Sequence, residues 1–132
     1  MIDIEIQVFN AVYEHVAPLC VSGGFTSVFV PNPSKFPCAS LFEINNITDR
    51  RRRSTAESED FANITFQGEV YAMTKPACRE IAAELDEAMC KLGFVRLQME
   101  FIDNRADPRV FRIVGRWLAN VDNNHNIFRP SL

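Results

Sequence analysis

Histidine is nearly absent from this 132-residue sequence, and the two that occur, His15 and His125, stand in no motif. A nucleophile–base pair or an H-E-x-x-H zinc site needs histidine held beside a partner, and spacing fixes none here. The P-loop, the G-x-G-x-x-G fingerprint and the G-x-S-x-G elbow are also missing. Ser22-Gly23-Gly24 is too short to cradle a phosphate and reads as a turn. Basic charge is not in surplus: 14 Lys and Arg against 17 Asp and Glu leave a net −3. A domain that binds nucleic acid on its own draws its affinity from an excess of cations, so that class is disfavoured as a whole-chain property. No apolar run approaches the about 20 residues that cross a bilayer. The acidic opening, Met1 to Val16, lacks the basic start and apolar block of a signal peptide. A cytosol-like compartment and no membrane partner are expected. Without secretion, the glycosylation patterns Asn46-Ile47-Thr48 and Asn63-Ile64-Thr65 carry no weight.

The four cysteines, Cys20, Cys38, Cys78 and Cys90, are scattered, with no C-x-x-C pair. Cys78 and Cys90 fall on one predicted helix about 18 Å apart, which excludes a disulfide between them. Zinc needs clustered ligands, so buried free thiols are expected. Glu80, Glu84 and Glu87 share one face of the same helix and read as a solvated acidic surface, not a metal site.

What the sequence does have is apolar residues, 47% of the chain, enough for a core without metals or cross-links. One domain covering 1–132 fits this length. Residues 2–17 predict a helix, with Ile2, Ile6, Phe9, Tyr13 and Val16 spaced 4-3-4-3 along one face and Pro18 ending it. Acids in its first turn suit the helix dipole, as does His15 near its end. Phe25–Val30 predicts a strand broken by Pro31-Asn32-Pro33, and Cys38–Ile47 a second. Ile64–Met73 alternates cleanly, with Ile64, Phe66, Gly68, Val70 and Ala72 on one side. The next helix is marked by Thr74 as N-cap, Pro76 in its first turn, a stripe of Cys78, Ile81, Ala82, Leu85, Met89 and Leu92, and Gly93 as its stop. Phe94–Ile102 predicts a strand with Val95, Leu97, Met99 and Phe101 on one face and Arg96, Gln98 and Glu100 on the other. Residues 103–108 turn the chain into a long strand, Val110–Val121, with Arg112, Val114, Arg116 and Leu118 facing away from Trp117. After Asp122-Asn123-Asn124, a short last strand runs from Asn126 to Arg129.

The order predicts an α+β fold: an antiparallel sheet with two helices packed on one face and a long projecting hairpin loop. The opposite sheet face is semi-polar, mixing Val114, Leu118 and Tyr71 with Arg96, Arg112 and Arg116, as surfaces that meet another protein often do. The loop, residues 48–61, reads as a flexible charged arm with Arg50, Arg51, Arg52 and Arg53 at its start and Glu57, Glu59 and Asp60 near its end. The arginine run fits contact with nucleic acid or an acidic protein surface, and equally a solvated loop.

Several stretches resemble the tail-completion (tail-terminator) and head–tail joining proteins of long-tailed bacteriophages. They are Met1-Ile2-Asp3-Ile4-Glu5, Pro33-Ser34-Lys35-Phe36-Pro37-Cys38, Asp60-Phe61-Ala62-Asn63 leading into Gly68-Glu69-Val70-Tyr71, Met89-Cys90-Lys91-Leu92-Gly93-Phe94, and Phe111-Arg112-Ile113-Val114-Gly115-Arg116. The likeness spans almost the full chain, and each motif is structural. It implies a structural virion protein, not an enzyme, using no cofactor. Such a protein caps the finished tail tube as a hexameric ring and presents a surface to the head connector or stopper. The implied partners are other copies of itself, the tail tube protein and the head connector, with genomic DNA passing through the ring. The implied place is the virion, at the head–tail interface, after assembly in the host cytoplasm. The arm matches a mobile hairpin loop of such folds, whereas the Arg50–Arg53 run departs from their pattern. The candidate assembly residues are those of the arm together with Tyr71, Arg96, Arg112 and Arg116. A head–tail connector component, or a small nucleic-acid-associated regulator using Arg50–Arg53, is the alternative.

Overall fold

The computed structural model describes residues 1–49, 61–104 and 107–130. Its best-signposted element is helix α2, Lys75–Leu92. Thr74 is extended, and its side-chain oxygen accepts the Ala77 N–H at 3.3 Å, which satisfies a donor the helix start leaves open. At the other end Gly93 adopts φ +110°, and the Gly93 and Phe94 N–H groups return to the Cys90 and Met89 carbonyls. Only glycine takes that conformation without strain. Cys78, Ile81, Ala82, Leu85 and Met89 are buried as predicted, with Ala88 added and Leu92 half-buried. Each large side chain of this kind contributes about 1.5–3 kcal/mol when fully withdrawn from water.

Helix α1 spans Glu5–Val16 and continues into a 3-10 turn, Ala17–Leu19. Its buried face is rotated from the expected one: Ile2, Val16 and half-buried Phe9 face the core as expected, but Ile6 and Tyr13 do not. Val8, Val12 and Val16 point inward, whereas Ile6 is 76% exposed and Tyr13 45%. The chain enters extended, with Ile2 and Ile4 already buried, and the helix starts only at Glu5. Both apolar stripes exist on this helix, and packing against α2 and the sheet selects the slender valine row.

The sheet contains β1 (Phe25–Thr26), β2 (Cys38–Thr48), β3 (Phe61–Ala72), β4 (Val95–Ile102), β5 (Phe111–Asp122) and β6 (Ile127–Phe128). Their order is β1-β2-β3-β5-β4, with β6 beside β5. All pairings are antiparallel except the two-residue β1, which runs parallel to β2, so the sheet is mixed at that edge. The expected strand Phe25–Val30 shrinks to these two residues.

Both helices lie on the face of Ile64, Phe66 and Val70 of β3 and Ile113, Trp117 and Ala119 of β5, one continuous core. At its centre Gly68 and Gly115 are cross-strand partners. A Cβ at Gly68 would stand 2.6 Å from Leu85 Cδ2 and 3.0 Å from Trp117 Cζ3; one at Gly115 would stand 2.6 Å from Trp117 Cη2. The two glycines form the recess that takes the indole and lets α2 settle onto the sheet. The Trp117 Nε1–H donates to Asp86 Oδ1 of α2 at 2.9 Å, so the ring's polar edge is satisfied.

The face assignment of β4 needs correction. A bulge between Arg96 and Gln98 shifts its register against β5. Arg96 therefore pairs with Trp117 on the helix side, where its guanidinium bonds Asp86 Oδ2 at 3.0 Å. Val95 lies opposite Leu118 on the other face, and only Met99 and Phe101 share the helix side as expected. An extra residue in one strand reverses the alternation beyond it, and hydrophobic spacing alone does not reveal where it sits.

Candidate assembly surfaces

The sheet face turned away from the helices is not simply bare. Near β1, Phe36 packs over Cys38, Tyr71 and Val110, which are all buried. Phe29 sets its ring edge against Phe42 at 6.1 Å. The segment between β1 and β2 thus covers one end of this face, and Ser22-Gly23-Gly24 makes the turn before it, with the Gly24 N–H on the Val21 carbonyl at 2.7 Å.

Glu69 projects from the middle of β3 and is 2% exposed. Its Oε1 accepts from Arg112 Nη2 at 2.6 Å, Arg112 Nε at 2.9 Å and the Tyr71 hydroxyl at 3.1 Å; its Oε2 accepts from Gln67 Nε2 at 2.9 Å. The Arg112 guanidinium also lies 5.8 Å from the centre of the Tyr71 ring. Burial, the Glu69 charge and its hydrogen bond together push the Tyr71 hydroxyl up to about 12. Beyond this network Arg116, exposed, donates from Nε to Gln67 Oε1 at 3.0 Å. Tyr71 and Arg112 therefore hold the sheet together, and Arg116 is the arginine of this face that stands in solvent. Arg96 sits on the other side. Arg50, Arg51, Arg52, Arg53, Glu57, Glu59 and Asp60 lie outside the described residues. The residues on either side of that stretch are described: Asp49 is 5% exposed, with its N–H on the Phe61 carbonyl and its Oδ2 accepting from Asn120.

Buried polar residues such as Glu69 were missed by sequence reasoning, because a polar residue in an alternating strand reads as solvent-facing. The available signal was Arg112 on a second strand of the same parity. His15 is exposed in the last turn of α1, and His125, at φ +65°, forms the turn before β6. Among the described residues no three of His, Cys, Asp and Glu gather to hold a metal. All four cysteines are free, and burial raises the Cys38 and Cys78 thiols to about 11.

At the far edge, α1 meets β2 through carboxylates. Glu5 Oε2 accepts the Glu43 N–H at 2.8 Å, and Glu43 itself bends toward Asn46. Burial, then the charges of Glu5 and Asp3, raise the Glu43 carboxyl above its ordinary value. A carboxyl raised in the folded state favours folding while protonated and loses that contribution as pH climbs from about 4.5 through the folded value. Glu43→Gln keeps the hydrogen-bonding shape without the charge. Its thermal midpoint is expected above wild type at neutral pH, with the difference vanishing below about pH 4. Equal midpoints at neutral pH would show the carboxylates to be well screened.

The remaining surface feature is a groove of about 1060 Å³ between α2 and the edge strand β4, bordered by Arg79, Ala83, Leu97, Met99, Phe101 and Arg129. Leu97 is 46% exposed there. No family model matches this chain, and no curated protein does. Among solved structures it is similar to a chain from the virion of a native gene transfer agent particle, with a TM-score of 0.61 and 18% identity over 87% of this chain and 94% of that one. At this identity the likeness establishes a shared fold across nearly the whole of both chains.

Proposed function

We propose that this chain is a structural component of a virion: it caps the finished tail tube of a phage-like particle and joins it to the head connector as a ring of copies. The observation that carries this reading is the fold shared, over 87% of this chain, with a chain of a gene transfer agent virion. The stretches that resemble tail-completion proteins support placing it at the head–tail junction. The role asks for contact surfaces and no reaction. In this reading Arg116 and the charged arm, Arg50–Arg53 with Glu57, Glu59 and Asp60, meet the tail tube or head protein.

Purified protein added to tails assembled without it tests the reading. Electron microscopy is expected to show it at one end of each tube, and the treated tails are expected to join filled heads. Binding to the head portal and not to tubes would assign the connector role instead. Tails that join heads equally well without it would remove the reading altogether.

A further inference from the structure

We infer that the groove between α2 and β4 is the seat for helix α1 of a second copy of this chain, so that each subunit presents its groove at one edge and its α1 at the other. The inference rests on the ring-forming role proposed above and names the surfaces that build the ring.

Strand order supplies the geometry. Helix α1 lies beside β2, and α2 lies over β3 and β5 and touches β4, with no further helix beyond it on that side among the described residues. Met99 and Phe101 look out from the helix side of β4 into the space where a third helix would lie, and Leu97 stands exposed at its rim. An α-helix with side chains is about 10–12 Å across, a shape that suits a trough floored by an edge strand and walled by another helix. The bulge at Arg96–Gln98 interrupts the strand ladder, which disfavours extending the sheet by strand addition and favours side-chain packing above it.

Charge selects the occupant. The first 34 residues contain no Lys or Arg, and α1 with its lead-in carries Asp3, Glu5 and Glu14. The outward side of α1 also exposes Ile6, and beside it part of Tyr13, whose ring stacks on Phe25 of its own chain. The groove lining mixes four cations, Arg79, Lys91, Arg96 and Arg129, with three carboxylates, Asp86, Glu87 and Glu100. Arg79 lies 5.2 Å from the centre of the Phe101 ring, and Arg129 reaches the Cys90 carbonyl at 3.4 Å. Among the described residues neither pairs with a carboxylate, whereas Arg96 and Lys91 are engaged by Asp86 and Glu87. With Lys91 and Arg96 paired, the groove keeps Arg79 and Arg129 against Glu100, so an acidic helix and a groove with a small cationic excess lie on opposite edges of one subunit. Joining them is a head-to-tail contact, and repetition of such a contact closes into a ring when its rotation permits.

Two variants at exposed positions separate the halves of the contact: Ile6→Glu disables the helix, and Arg79→Glu the groove. Native mass spectrometry of the wild type is expected to show species larger than a dimer. Each variant alone is expected to be monomeric, with self-association weakened at least ~30-fold, and to melt like wild type. Mixed in equal amounts they retain one good groove and one good helix between them, so they should stop at a dimer, about twice the 15.0 kDa chain mass. Wild-type assemblies persisting in either variant, or full assembly in the mixture, would overturn the inference, as would a wild type monomeric at every concentration. A monomer that still caps tails would leave the proposed role standing, while rings that ignore tails would remove the role and keep the contact.

Discussion

Trp117→Ala is expected to remove about 3–5 kcal/mol of unfolding free energy, a large part of the roughly 5–15 kcal/mol that holds a domain of this size together. The indole is fully buried, faces Phe66 across the strand pair and fills the recess over Gly68 and Gly115. Alanine leaves that volume empty, and the glycines beneath have no side chain to close it. The converse change, Gly115→Ala, is expected to destabilise by about 1–3 kcal/mol by overpacking. The new Cβ would meet Trp117 at 2.6 Å, and the ring is held on its far side by Asp86. Urea unfolding followed by circular dichroism measures both. If Trp117→Ala lost less than about 1 kcal/mol, the collapse of α2 onto the glycines would have filled the space, and the recess would not be the rigid feature described.

Arg112→Ala is expected to lose a similar amount, about 3–5 kcal/mol, for a different reason. It strips Glu69 of two of its four hydrogen bonds and of its countercharge while the carboxylate remains 2% exposed. The distinguishing control is the double variant Glu69→Gln with Arg112→Met, which removes both charges and should recover most of the loss, because neutral partners do not suffer an unpaired buried charge. A second control is Arg109→Ala. Arg109 pairs with Asp107 in open solvent, and its loss is expected to leave the unfolding curve where it was. Were the double variant as unstable as Arg112→Ala, packing of the arginine stem against Tyr71 would be the dominant effect.

The readable parts of this fold were those whose local chemistry admits one solution. Thr74, Pro76 and Gly93 punctuate α2, and its apolar stripe has no competing row. The alternation of β3 and β5 assigns faces correctly because both strands pair without interruption for twelve residues. The α1 sequence, by contrast, supports two apolar rows, and packing against α2 and the sheet, with Ile2 and Ile4 buried before the helix start, decides between them. In β4 a single bulge carried Arg96 to the helix side. The open sheet face was legible as semi-polar, but its polar residues turned inward on one another: Glu69 draws Arg112, Tyr71 and Gln67 into itself, and Phe36 closes over Tyr71. Sequence parity says which side of a strand a residue takes. It does not say whether water reaches it, since that depends on segments distant in the chain.

The pairing of β3 with β5 has a consequence for biosynthesis. Ala72 must find Phe111 and Phe61 must find Asp122, with all of α2 and β4 looped out between them. A growing chain can form the β2–β3 hairpin early, yet Ile64, Phe66 and Val70 keep an unsatisfied edge until the last long strand leaves the ribosome. Contacts this distant along a chain slow folding and lengthen the exposure of sticky intermediates. Slower translation will not help such a chain as it would a helical bundle, because the closing strand is synthesised only after α2 and β4.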